Sequence, residues 1–266
     1  MAGSPTPIPA QPSPPPDAEF LLRINVEEAL PPLARFPSTP AYVITLDRRV
    51  LTAGAVPAMF PGPLVMPIVE RQLTPTGWAR IVAAAREAGL LSGISMIGQP
   101  MPGEGILRVR LFADVVLHDI GTPNTSPACL SEPCQGAPGT REAMEWFISR
   151  LADLGNWLGD DVAAEAAHVP EGYAIVVGPI PDDQGLPQPS IDWPFDAGFA
   201  GFGHAFADGS GFRCGMIIGG DAEILRATLG RATSITRWRD PIEGSFHGLT
   251  VKPLLPGDGD ACGGLV

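Results

Sequence analysis

Hydrophobic and polar positions in the first half of the chain predict strands around one helix. The helix is expected to begin after Thr74, a capping hydroxyl followed by Pro75, and to end at Gly89. Asp47-Arg48 is predicted as a hairpin turn between alternating apolar positions. The strands predicted on either side of the helix are residues 20–29, 41–51, 67–73 and 105–120.

The second half predicts a long amphipathic helix and then a strand-helix-strand-strand unit. Residues 139–160 carry an apolar stripe at helical spacing, formed by Met144, Phe147, Ile148, Leu151 and Leu154. "GYAIVVGPI" (172–180) has the continuous apolar character of a buried strand. In the last unit, Asp221 is predicted to cap the helix after Gly219-Gly220. A phosphate-binding loop would need further glycines or a lysine at this point.

These elements predict an α+β protein with two related strand-helix-hairpin modules, antiparallel sheets and a long irregular loop rich in Gly, Pro and Phe. Such a loop is long for a compact domain and is usually functional or mobile. The expected division of the chain is a Pro-rich tether (1–18), a first module (19–125), a linker with the amphipathic helix and a strand (126–178), the irregular aromatic loop (179–211) and a second module (212–266).

Composition and charge exclude several classes of protein. With 45% hydrophobic residues, a chain of 266 residues can bury a sizeable core. The formal charge is −12, and the 17 basic residues are scattered. Nucleic acid and anionic membrane surfaces are therefore not expected as partners. The apolar runs are too short to span a bilayer, and "MAGSPTPIPAQPSPPPDAEF" has no apolar leader segment.

The four cysteines favour an oxidising compartment. Cys129 and Cys134 lie in "CLSEPC", which lacks the spacing of a zinc knuckle and has no histidine nearby. Cys214 and Cys262 lie far apart in the second half. Two disulfides are the favoured interpretation, with buried thiols or a metal site as alternatives. The Pro-rich residues 4–16 fit a tether outside the cytoplasm, or equally a disordered tail without a role.

The irregular loop supplies the candidate binding residues. Aromatic side chains are common at the centres of protein interfaces. They could equally hold the loop against its own sheet, and both interpretations stay open. The candidate partner surface consists of Trp193, Phe195, Phe199, Phe202 and Phe206.

Candidate chemistry is sparse, and no cofactor or metal site is predicted. The four histidines lie in separate segments without a metal-binding or catalytic motif. A site assembled from distant residues is the alternative, with His204 paired to Asp208 or Asp192. Asp258 and Asp260 in "GDGDAC" fit an exposed polar tail as well as a calcium loop.

The second half resembles a family of uncharacterised secreted or lipid-anchored proteins of actinobacteria and related high-GC bacteria. The similar features are the strand and capped helix of "RCGMIIGGDAEILRATLGRA", the "TRW" strand and the "PLLP" segment before the last cysteine. "YVITLDRRVLTAG" and "LGNWLGD" resemble the same family. The resemblance implies no catalytic residues. It implies that Cys214 pairs with Cys262, and that Cys129 and Cys134 form a separate bridge.

Together these features predict a non-enzymatic exported protein. It would act outside the cytoplasm as a binding module or accessory subunit of a cell-surface or envelope assembly, with a protein as its partner. An extracytoplasmic hydrolase and a structural subunit of an extracellular filament are the alternatives.

Overall fold

The computed structural model describes residues 18–58, 60–124, 136–180, 185–187, 189–263 and 265. The predicted tether, apart from its last residue, and the pair Cys129 and Cys134 lie outside this part of the chain. The described residues form two largely antiparallel sheets with helices packed on them, so the predicted α+β class is confirmed. No helix in these ranges combines the length and apolarity needed to cross a bilayer.

In the described residues, seven strands form the first sheet, and every neighbouring pair is antiparallel. Their order across the sheet is β6-β5-β1-β2-β3-β4-β7. The predicted hairpin joins β2 and β3, but its turn residues are Leu46 and Asp47, and Arg48 follows them with a left-handed φ of 66°. The strands are β1 (Leu22–Glu27), β2 (Tyr42–Ile44), β3 (Arg49–Ala53), β4 (Ile68–Gln72), β5 (Ile106–Ala113), β6 (Val116–Pro123) and β7 (Ala166–Ala167).

Two helices cover one face of this sheet and build the larger core. Thr74 caps the first of them by accepting a hydrogen bond from the backbone N–H of Gly77 at 3.0 Å. The helix predicted over 139–160 breaks at Asp153, whose φ of −118° is not helical. The helices of this half are α1 (Pro32–Arg35), α2 (Pro75–Glu87), α3 (Arg141–Ala152) and α4 (Leu154–Leu158).

Six described strands form the second sheet, in the order β10-β11-β8-β13-β12-β9. All pairs are antiparallel except β9 with β12. The predicted linker region 126–178 is divided between the sheets, because α3 packs on the first and β8 is an inner strand of the second. The strands are β8 (Gly172–Gly178), β9 (Ser190–Asp192), β10 (His204–Ala205), β11 (Arg213–Ile218), β12 (Arg237–Arg239) and β13 (Phe246–Pro253).

Helix α5 (Gly220–Leu229) packs on the second sheet, but its first turn differs from the prediction. Asp221 is not the cap. The cap position is Gly219, whose φ of 63° is readily accessible only to glycine, and no side chain caps the helix. Asp221 lies in the first turn, where its charge still faces the positive end of the helix dipole.

Residues 254–262, here called the C-terminal strap, fasten the second half to the first sheet. Leu255 packs with Val43, Leu51 and Ile68 on the sheet face opposite the helices. Asp258 forms an ion pair with Arg23 of β1 at 2.6 Å. The strap then ends in a disulfide between Cys262 and Cys214 of β11, with an S–S distance of 2.07 Å, as the family resemblance implied.

Candidate functional site

The aromatic loop does not present its side chains as an exposed surface. Phe206 is buried in a separate cluster beside Cys214. Trp193 and Phe199 are buried in the core under helix α5, and Phe195 and Phe202 are partly buried against that core. The ring of Trp193 lies 4.8 Å from Phe199 and 6.1 Å from Trp238, centroid to centroid. The predicted partner surface is therefore corrected to a packed cluster. Helix α5 shares this core, and burying the aromatic rings beside it is strongly favourable.

The buried carboxylate of Asp240 holds the backbone of the aromatic loop at Phe199. It accepts hydrogen bonds from the backbone N–H groups of Phe199 at 2.6 Å, Ile242 at 2.7 Å and Glu243 at 2.9 Å. Gly198 is required here, because a Cβ on it would lie 2.8 Å from Asp240 Oδ1. Burial alone would raise the pKa of Asp240, but these N–H groups, with a contribution from His247, hold that pKa below its usual value.

Asp240 is expected to make the stability of the protein fall in acid. A lowered folded-state pKa stabilises the fold above the unfolded pKa of about 3.9. That contribution is lost as the pH falls through the folded-state value. Asp240→Asn should lower the free energy of unfolding at pH 7 by about 1–3 kcal/mol, because one N–H donor loses its acceptor. The measurement is urea unfolding at several pH values from about 2.5 to 7. This range includes the unfolded-state pKa of Asp, about 3.9.

The difference between the natural chain and Asp240→Asn should shrink below about pH 4. The control is Asp196→Asn, an exposed carboxylate of the aromatic loop that makes no such contacts with Phe199. A difference that stays constant with pH would show that Asp240 does not supply the acid dependence.

The proposed hydrolase residues are not brought together. His204 and Asp192 lie on β10 and β9, the opposite edges of the second sheet, five strand spacings or about 24 Å apart. Asp192 forms an ion pair with Arg239 at 2.7 Å, and Asp208 accepts a hydrogen bond from the N–H of Ser210 in an exposed turn. The structure instead places Ser245 Oγ 3.0 Å from His247 Nε2. Ser245 and His247 belong to the same hairpin. The nearby carboxylate of Asp240 already accepts three backbone hydrogen bonds.

A recess lies between the two halves of the molecule. It is a cavity of about 780 Å³, bordered by the β2–β3 hairpin, residues 168–172, the end of β11 with helix α5, and the C-terminal strap. Cavities of this size at the junction of two structural units are common small-molecule sites. Apolar side chains form much of its wall. They include Val169, Ile218 and Leu254, the first two of which are largely exposed to solvent.

One end of the cavity is polar and internally paired. His168 Nδ1 lies 2.7 Å from Glu70 Oε2, and Arg49 contacts both Glu70 and Asp47. Although partial burial opposes it, hydrogen bonding from Thr45 and the charge of Arg49 lower the pKa of Asp47. This chain of contacts fixes the imidazole of His168 at the cavity wall. The charges at this end largely neutralise one another.

Comparison with known proteins identifies no relative. No family model matches the chain, and no curated protein or solved structure matches it significantly. The resemblance to secreted proteins of high-GC bacteria therefore stays a prediction.

Among the residues that the structure describes, the cavity lining contains no serine or cysteine. The described residues also hold no group of three or more His, Cys, Asp or Glu side chains placed to bind a metal ion. Asp258 is buried in an ion pair, so it belongs neither to an exposed tail nor to a calcium loop. Sequence reasoning missed the cavity because its lining comes from four separate segments.

Proposed function

We propose that the protein is a non-enzymatic, exported binding protein that holds a small amphipathic molecule in the cavity between its two halves. The supporting observation is the apolar wall of this cavity. Ile218 is 68% exposed and Val169 is 57% exposed, although they lie side by side with other apolar residues around one recess. Apolar surface left accessible in a concave, polar-rimmed site is typical of ligand binding.

The disulfide supports the exported location, because such crosslinks persist mainly in oxidising compartments. In this proposal the protein works at the cell envelope, as a binding module or accessory subunit of a larger assembly. The aromatic cluster then serves as a rigid support for the second sheet.

Filling the cavity is expected to abolish binding. Ile218→Trp places a large ring against Leu254 and Val169, so an apolar fluorescent probe such as anilinonaphthalene sulfonate should bind at least about tenfold more weakly, a loss of about 1.4 kcal/mol. The matched control is Ile242→Trp, since Ile242 is 72% exposed but lies in the turn between β12 and β13, outside the cavity lining. Fluorescence titration of the folded proteins measures both. Equal probe binding by the two variants would refute the cavity as the binding site.

A further inference from the structure

The ionisable side chains that line the cavity fall into two groups, those paired with an acidic side chain and those without such a partner. Arg49 and His168 are paired with carboxylates at the polar end. Arg226 is not. Its Nη2 donates to the carbonyl oxygen of Pro170 at 2.6 Å and its Nε to the hydroxyl of Tyr173 at 3.3 Å, both neutral acceptors. Within the described residues no carboxylate lies within ion-pair distance of Arg226, so its positive charge is oriented but not neutralised.

Two acidic side chains at the solvent-exposed rim of the same cavity have no protein partner in the described ranges. Glu171 precedes β8, and Glu223 lies one helical turn before Arg226 on α5. In the described part of the chain, neither carboxylate forms an ion pair or a side-chain hydrogen bond. The unpaired charges on the lining are therefore one guanidinium and two carboxylates, and the apolar wall of Val169, Ile218 and Leu254 lies in the same recess.

This charge pattern selects among amphipathic ligands. A fatty acid would satisfy Arg226 but has no cationic group for the two carboxylates at the rim. A ligand with a carboxylate, an ammonium group and apolar side chains matches all three features. A guanidinium binds a carboxylate with two parallel hydrogen bonds. The volume of about 780 Å³ lies toward the upper end of small-molecule sites, which favours a short peptide over a single amino acid.

We propose that the cavity binds a short apolar peptide with free termini, its carboxylate held by Arg226 and its ammonium group by Glu223 and Glu171. This inference rests on the proposed binding function of the same cavity and names the class of its ligand. The peptide's apolar side chains lie against the Ile218 wall.

The test is calorimetric titration of the natural chain with three probes: trileucine, trileucine amide and N-acetyl-trileucine. Removing one charge-assisted contact should weaken binding about tenfold to a hundredfold. Trileucine is therefore expected to bind most tightly. In Arg226→Gln the preference for trileucine over its amide should disappear. In the double variant with Glu171→Gln and Glu223→Gln, the preference for trileucine over N-acetyl-trileucine should disappear.

The control is Arg86→Gln, an exposed arginine outside the cavity, which should keep both preferences. Arg226 also holds the Pro170 carbonyl, so the three-probe comparison on the natural chain serves as a test that needs no variant. Equal binding of the three peptides by the natural chain overturns the inference. Displacement of anilinonaphthalene sulfonate by decanoate but not by trileucine overturns it too, and leaves the proposed cavity function standing. If neither the fluorescent probe nor any peptide binds, both proposals fail.

Discussion

Asp258→Ala is expected to lower the free energy of unfolding by about 3–5 kcal/mol, because it leaves two buried cations without a counter-charge. The Asp258 side chain is 2% exposed, and Arg23 and Lys252 beside it are 7% and 14% exposed. The carboxylate accepts hydrogen bonds from Arg23 at 2.6 Å, Lys252 at 3.1 Å and the backbone N–H of Leu255 at 2.8 Å. Its removal also deletes one of the contacts that hold the strap to the first sheet, beside the packing of Leu255. Urea unfolding followed by tryptophan fluorescence measures the loss.

The matched control for this substitution is Asp192→Ala. Asp192 forms an ion pair with Arg239 at 2.7 Å, close to the Arg23–Asp258 distance, but both side chains are exposed. Exposed ion pairs contribute about 1 kcal/mol or less, since water solvates the charges when the pair is broken. The two aspartates thus differ mainly in burial. Similar losses in the two variants would show that Arg23 and Lys252 are reached by solvent once Asp258 is gone.

Elements specified by nearby residues could be predicted from the sequence. Helix α2 follows from the Thr74 cap, the proline after it and the glycine at its end, all within one stretch of chain. The buried character of β8 was also readable from its continuous apolar run. The hydrophobic periodicity of a strand does not indicate which other strands it pairs with. The pairing of β8 with β11 and β13 depends on residues far along the chain, so its place inside the second sheet was not predicted.

The aromatic loop and the strap show why the remaining features could not be predicted. A Trp and several Phe residues among glycines have the same composition whether they lie on an interface or in a core. Only the position of the second sheet decides between them. Asp258 lies in a glycine-rich terminal segment that suggests solvent exposure, but its partner Arg23 is 235 residues away. The cavity is even harder to predict from the sequence, because none of its lining segments carries a recognisable binding motif.

Loss of the crosslink between Cys214 and Cys262 is expected to cost about 4 kcal/mol, since the two cysteines are 48 residues apart and the unfolded chain gains the corresponding loop entropy. Alanine is the suitable replacement, because both positions are buried and a serine hydroxyl would lack a partner. Urea unfolding of Cys214→Ala, Cys262→Ala and the double variant should give similar losses, because the same bond is absent in all three. Effects that add up in the double variant would mean that the two cysteines act independently and form no bond.

The disulfide and the Asp258 ion pair hold the same strap, so their contributions should not be independent. Once the crosslink is absent, the strap can detach locally, and Asp258→Ala then removes an interaction that is already partly lost. We expect Asp258→Ala to cost less in the double cysteine variant than in the natural chain, with a coupling of about 0.5–3 kcal/mol. Asp192→Ala, on the far edge strand β9, should cost the same in both backgrounds. Additive losses for Asp258→Ala would instead mean that each contact stabilises its own region, and that residues 254–262 do not act as one structural unit.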